Sequence, residues 1–325
     1  MHSIPAITRL LGCLLLAAAG TVTAQAAARD TIRVLVGFPA GGAVDIVARA
    51  FADQLRQSSG TTVVVENRPG AGGMIAIDSM LAAPASGQIV EVIPSSQITL
   101  APLVTKAIKY DPLTDLVALG SLAEFGFGIA TGPATKETTM AGYKDWANAH
   151  PDKSNFGFPG VGTPQQFIGV ELGKQLHISY TPIAYKGGAN SVIDVIGGQI
   201  ATLVTTEQLL IPYQKQGKLH TLLITSKERN PMLPGVPTAI EVGLPDLDER
   251  GWVGLFIKSG TPAKLVTQWR AAVEKVVSNP KYAATMRNLG YGVPAKQPED
   301  FAKKLASERA TWQKRVKASG FVATN

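Results

Sequence analysis

The chain has 325 residues, 45% of them hydrophobic, with 31 Lys and Arg against 24 Asp and Glu (net charge +7) and a single Cys. That is enough apolar material to bury a sizeable core, and two domains are expected; the 33 Gly and 21 Pro fall between apolar segments without a repeat, which excludes a collagen-like or low-complexity chain. After the N-terminus no apolar run approaches the roughly 20 residues of a membrane span, and Lys303, Lys304, Arg309, Lys314, Arg315 and Lys317 alternate with Glu299, Asp300 and Glu308 as on a solvated helix face, so neither a membrane bundle nor nucleic-acid binding is expected.

Arg9 precedes an apolar stretch from Leu10 to Ala19 that is too short to cross a bilayer, and Ala24-Gln25-Ala26 supplies the small residues of a cleavage site. Residues 1–26 are read as a signal peptide, with the mature chain starting near Ala27 and exported to the periplasm. Lipidation at Cys13 of Leu10-Leu11-Gly12-Cys13 is the weaker alternative, because Leu14, Leu15 and Leu16 prolong the apolar run past the cysteine. A mature chain without cysteine has no disulfide and no thiol chemistry. His150, His177 and His220 are far apart, so no metal or other cofactor is expected.

From residue 31 onward strand-like and helix-like segments alternate. Strands are expected at residues 31–38, 61–66, 89–93, 124–131, 155–158, 178–184, 200–205, 219–226 and 251–257. Helices are expected at residues 45–57, 74–81, 143–149, 165–175, 191–197, 263–279 and 298–319. In residues 45–57, for instance, Ile46, Val47, Ala50, Phe51 and Leu55 share one face. The pattern defines an α/β fold with two parallel-rich sheets. Residues 27–124 and 252–325 form a discontinuous first domain and residues 125–251 a second. The chain crosses between them near residues 123–128 and 250–254, a topology that makes a hinge.

Ligands of open parallel sheets bind beyond the carboxyl ends of the strands, so the chemistry is sought in those loops. The first strand ends in Phe38-Pro39-Ala40-Gly41-Gly42, directly before a helix whose free N–H groups favour an anion. Asp45 is read as a cap of that helix or its turn. Arg68-Pro69-Gly70-Ala71-Gly72-Gly73 repeats the arrangement, Ser95 and Ser96 add hydroxyls, and Gly160-Val161-Gly162-Thr163 and Tyr185-Lys186-Gly187-Gly188 do the same in the second unit. The result is an uncharged, donor-rich cleft. It lacks the GxxxxGK[ST] and GxGxxG spacings of nucleotide sites, a His, Cys or carboxylate pair for acid–base work, and a GxSxG elbow.

The segments Ile32-Arg33-Val34-Leu35-Val36-Gly37-Phe38-Pro39-Ala40-Gly41-Gly42-Ala43-Val44-Asp45, Val64-Val65-Glu66-Asn67-Arg68-Pro69-Gly70-Ala71-Gly72-Gly73, Tyr185-Lys186-Gly187-Gly188, Leu233-Pro234-Gly235-Val236-Pro237-Thr238 and Gly260-Thr261-Pro262 resemble, in order, those of the Bug or TctC family of periplasmic solute-binding proteins. The resemblance implies a two-domain binding fold that closes on a small organic carboxylate and delivers it to the membrane permease of a tripartite tricarboxylate transporter. It also implies that a ligand carboxylate sits against Phe38, Pro39, Ala40, Gly41 and Gly42 on one side and Gly162 and Thr163 on the other. The chain departs from the family in carrying Gln166-Phe167 where His-Leu is usual, and Val204-Thr205-Thr206 where an acid is usual. Fewer acids disfavour an amino-acid ligand. Thr205 and Thr206 are candidates for a second carboxylate, Phe38 and Phe158 for an apolar or aromatic body, and Tyr185 is a further ligand-binding candidate from its loop, so the expected ligand is a dicarboxylate, with an aromatic one such as terephthalate among the fits. A monomer without enzymatic activity is expected. A carboxylate sensor docked to a membrane signalling partner, a hydrolase and a surface protein binding acidic polymers are the competing readings.

Overall fold

The computed structural model describes residues 31–294, 297 and 301–323. The expected signal peptide, Cys13 and the expected start of the last helix at Pro298 lie outside the described residues.

Strand β1 (Ile32–Val36) leads into helix α1 (Ala43–Ser59), where Val44, Val47, Ala48, Phe51 and Leu55 recur at helical spacing and are all buried. Gly60, at φ +69°, ends the helix in the left-handed region and donates its N–H to the Arg56 carbonyl. β2 (Val63–Asn67), α2 (Met74–Ala82) and β3 (Ile89–Pro94) follow, and β1 pairs in parallel with both β2 and β3. Two short helices, α3 (Ser95–Thr99) and α4 (Ala101–Val104), then leave the end of β3.

The main departure from the expected elements is β4 (Leu116–Thr131), a 16-residue strand that begins eight residues before the expected one at residue 124. Its first part is covered on both faces, with Leu116, Ala118, Leu119, Leu122 and Ala123 all buried, so it lacks the alternation that marks a one-sided strand. Between Leu116 and Gly126 it pairs antiparallel with β9 (Arg250–Lys258). From Phe127 it pairs with β7 (Thr202–Thr206) and from Gly128 with β8 (His220–Ile224). β5 (Asn155–Phe158) lies parallel to β6 (Thr181–Ala184) and β7. The strand order is β2-β1-β3-β9-β4-β7-β5-β6, with β8 also on β4. The sheet is therefore mixed: parallel in the outer strands of each half and antiparallel around β4 and β9.

Helices α5 (Met140–Ala149), α6 (Pro164–Leu176), α7 (Gly188–Ile196) and α8 (Glu207–Lys215) belong to the second half; α9 (Ala263–Val277), α10 (Pro280–Asn288) and α11 (Phe301–Ser319) follow β9. The helix expected at residues 263–279 is succeeded at once by α10, because Asn279 accepts the Lys281 N–H and Pro280 takes the first helical position. Phe51, Val90, Val273 and Tyr282 centre the core on one face of the first half, and Leu35, Ile77, Phe256 and Leu305 the core on the other. The second half is built around Tyr143, Phe156 and Leu172 on one face and Val192, Leu203 and Leu210 on the other. Leu100, Val104, Phe167, Trp312 and Val316 form a smaller cluster drawn from both halves. Burial of each large side chain in these cores contributes about 1.5–3 kcal/mol.

Candidate ligand-binding cleft

The loop after β1 is held from two directions. Gly37 lies so close to the loop after β2 that a Cβ on it would sit 2.7 Å from the Gly73 Cα and 2.8 Å from its carbonyl oxygen. That contact admits only glycine. Asp45, in the first turn of α1 and 1% exposed, accepts from the Gly41 N–H at 2.8 Å, from Arg49 Nε at 2.8 Å and from Asn67 Nδ2 at 2.8 Å, while Asn67 also donates to the Phe38 carbonyl at 3.1 Å. Burial pushes this carboxyl up, but the bonds from Arg49, Gly41 and Asn67 together hold it below the usual carboxylate range. Asp45 thus ties down the turn rather than capping the helix through its N-cap position, which is Gly42 and has no side-chain cap.

The loop after β2 contains four consecutive residues at positive φ: Gly70 (138°), Ala71 (46°), Gly72 (65°) and Gly73 (104°). This winding presents Ala71 and Gly72 to a cavity of about 270 Å³. Met74, Ser96, Gln97, Ala101, Val104 and Thr105 continue its wall on the first half, and Val161, Gly162, Thr163 and Pro164 close it from the second. The two sides meet closely, since a Cβ on Gly162 would stand 2.9 Å from Val104 Cγ2. Among the described residues no charged side chain lines this cavity. Larger cavities lie elsewhere, with charged walls such as Glu171, Asp246 and Arg315 in one and Glu207, Arg250 and Arg287 in another, and do not reach the loops after β1, β2, β3 and β5.

The structure brings Ser96, Gly162 and Thr163 together in this cavity and distributes the other sequence-derived candidates around it. Phe38 is half-buried, its ring edge directed at Gly73. Pro39 accepts the Gly42 N–H through its carbonyl at 3.2 Å, the Gly41 N–H is taken by Asp45, and Ala40 is exposed at the turn. Ser95 is buried and its Oγ accepts the Trp252 N–H at 3.3 Å. Phe158, assigned above to a ligand's apolar body, is 2% exposed and packs on Phe156 inside the second core, so its ring belongs to that core instead. Tyr185 donates to Asp194 at 2.8 Å; its phenol is pushed up to about 12 by burial and by that carboxylate. Thr205 is buried, its Oγ1 2.8 Å from where a Gly188 Cβ would stand, and Thr206 is the N-cap of α8. Thr163, expected as a hydroxyl donor to the ligand, donates instead to the Gly160 carbonyl at 2.7 Å.

Sequence reasoning marked the loop containing Ala71 and Gly72 but missed Gln97, Ala101 and Val104. The helices α3 and α4 that carry them are only five and four residues long and too short to show a period.

A mixed α/β chain in two halves, with a cavity enclosed by strand-end loops of both, has the build of a bilobal solute-binding protein. Residues 47–321 match the family described as the tripartite tricarboxylate transporter family receptor, TctC. The chain belongs to this Bug/TctC family of solute-binding receptors. It is 31% identical over 255 residues to a UPF0065 protein in the gbd 5′ region of Cupriavidus necator, covering 78% of this chain and 77% of that one. Among solved structures it is similar to the periplasmic binding protein BugD, with a TM-score of 0.79, 26% identity and coverage of 90% of this chain and 99% of that one. It is likewise similar to MatC of Rhodopseudomonas palustris with bound malate, with a TM-score of 0.76, 26% identity and coverage of 88% and 98%.

Proposed function

We propose that the cleft takes a small organic carboxylate, that the two halves close on it, and that the loaded receptor delivers it to the permease of a tripartite tricarboxylate transporter. The observation that carries this reading is the uncharged cavity walled by Ala71, Gly72, Ser96 and Gln97 on one side and by Gly162 and Thr163 on the other. Hydroxyl, amide and backbone N–H groups stabilise an anion there without a buried cation. Among the described residues the lining offers no acid–base pair, which speaks against hydrolysis at this site. The malate of the similar MatC structure supports a dicarboxylate. The cavity walls formed by Ala71, Met74, Ala101 and Val104 are aliphatic, and neither Phe38 nor Phe158 reaches them, which favours a short aliphatic dicarboxylate over an aromatic one such as terephthalate.

In this reading residues 27–124 with 252–325, and residues 125–251, move as two bodies about the place where β4 changes partner, after Gly126, and the start of β9 at Arg250. The protein works as a periplasmic monomer once residues 1–26 are removed. Calorimetry of the mature chain against malate, succinate, adipate and terephthalate tests it: micromolar or tighter binding of at least one acid is expected, and no heat and no thermal stabilisation with any of them overturns it.

A further inference from the structure

The loop of the second half that faces the cavity has its own internal acceptor. Gly162, at φ +77°, donates its N–H to Gln166 Oε1 at 2.8 Å. Thr163-Pro164-Gln165-Gln166 reads as a capping box at the start of α6, in which the Thr hydroxyl would accept from the Gln166 N–H and the Gln side chain from the Thr163 N–H. Neither of these bonds forms. The Thr163 hydroxyl is turned to the Gly160 carbonyl, the Gln166 N–H donates to the Thr163 carbonyl at 3.1 Å, and the Gln166 side chain reaches one residue further back, to Gly162. The Nε2 of Gln166 has no acceptor among the described residues.

The first half uses the same four-residue reach with a different chemistry. There the Gly41 N–H is held by Asp45, a buried carboxylate that is itself clamped by Arg49 and Asn67. Asp45 cannot leave without stranding a buried charge. Gln166 is neutral, holds the loop by one hydrogen bond, and has no clamp. Exchanging its amide oxygen for a carboxylate oxygen on the Gly162 N–H replaces a neutral hydrogen bond by a charge-assisted one, which is the stronger of the two.

Resting on the carboxylate reading given above, the geometry points to Gln166 as an affinity-setting residue: its side-chain oxygen occupies the Gly162 N–H in the ligand-free receptor and is displaced by a carboxylate of the ligand. A neutral amide suits that place because it satisfies the donor without contributing charge of either sign. Among the described residues no lysine, arginine or histidine lines the adjoining cavity to offset a negative charge placed beside Gly162.

Two variants give opposite orders under this inference and under a purely structural one. Gln166→Glu retains length and strengthens the hold on the Gly162 N–H but adds an anion; Gln166→Ala removes the acceptor and frees the donor. Displacement predicts that Q166E weakens the tightest-binding acid of a malate, succinate, adipate and terephthalate panel at least tenfold at pH 8, with the deficit relative to the parent shrinking toward pH 5 as the introduced carboxylate takes up a proton. It predicts that Q166A binds as tightly as the parent or up to several-fold tighter. A merely structural cap predicts the reverse, with Q166E binding like the parent and Q166A weakened together with its melting temperature. If the parent binds acids and Q166E binds them no worse than Q166A, the inference falls while the carboxylate reading stands; if the parent binds none of the four, both fall.

Discussion

Ala71 holds φ +46° between glycines, a conformation in which its Cβ crowds the following carbonyl. Ala71→Gly is expected to stabilise the fold by up to about 1 kcal/mol, the relief of that crowding exceeding the entropy a new glycine loses on folding. A higher urea midpoint at unchanged slope checks this, and a lower midpoint means the methyl makes compensating contacts at the cavity wall. Glu91 presents the opposite case, a residue whose chemistry conflicts with its place. It stands in β3 at 1% exposure, its Oε2 has no hydrogen-bond partner among the described residues, and burial followed by the nearby Asp78 raises its carboxyl well above the usual range. A carboxyl raised on folding contributes stability that is present below its unfolded value, about 4.3, and that is lost as the pH rises through the folded one. The wild-type chain is therefore expected to lose stability from mildly acidic toward alkaline pH. Glu91→Gln should flatten that slope and be the more stable of the two at pH 8; parallel pH profiles of melting temperature for the two proteins would refute it.

At the scale of elements, what the sequence reveals depends on whether a segment shows one face or two to solvent. α1 was legible because Val47, Phe51 and Leu55 face one core while Arg49, Asp53 and Arg56 face water. The first half of β4 was not, because it is covered on both sides and looks like neither a helix nor a half-exposed strand. The strand-end loops were legible as a group from their glycines, and Ser96, Gly162 and Thr163 do meet in one cavity. The reach of single side chains within them was not, since the hold of Asp45 on Gly41 and of Gln166 on Gly162 depends on how each loop is wound. Phe158 illustrates the limit most plainly: a strand-terminal phenylalanine reads the same whether it points into a cleft or, as here, onto Phe156. The backbone contact between the loops after β1 and β2 leads to a further expectation. Gly37→Ala forces a Cβ into the Gly73 backbone at 2.7 Å, where no flexible side chain can yield. A loss of about 2 kcal/mol is expected, together with weaker ligand binding because Ala71 and Gly72 shift; full retention of both denaturation midpoint and affinity would show that the two loops separate freely.

For the whole molecule the question is what holds the halves in their present arrangement. β4 and β9 run through the crossing, but α11 spans it from outside. In the first half Phe301 and Leu305 pack with Trp252, whose Nε1 donates to both Glu308 oxygens at 3.1 and 3.0 Å. One to two turns on, Trp312 and Val316 pack with Phe167 of α6 and with Leu100 and Val104 beside the cavity, and Arg315 pairs with Glu249. The helix thus grips the second half through a cluster that stays buried only while the halves are together. Trp312 does not itself line the cavity that Gly162 and Val104 enclose; it packs behind Val104 and Phe167, so Trp312→Ala acts first on the contact between the halves. It is expected to cost about 3 kcal/mol of contact between the halves and to shift the ligand-free receptor toward an opened form. Apparent affinity for a carboxylate then falls in proportion to the closed fraction that remains. Small-angle scattering of the ligand-free variant should show a larger radius of gyration that saturating ligand restores to the parental value. A variant that melts lower yet keeps the parental radius and affinity would show that α11 serves stability alone and that the hinge is governed by β4 and β9.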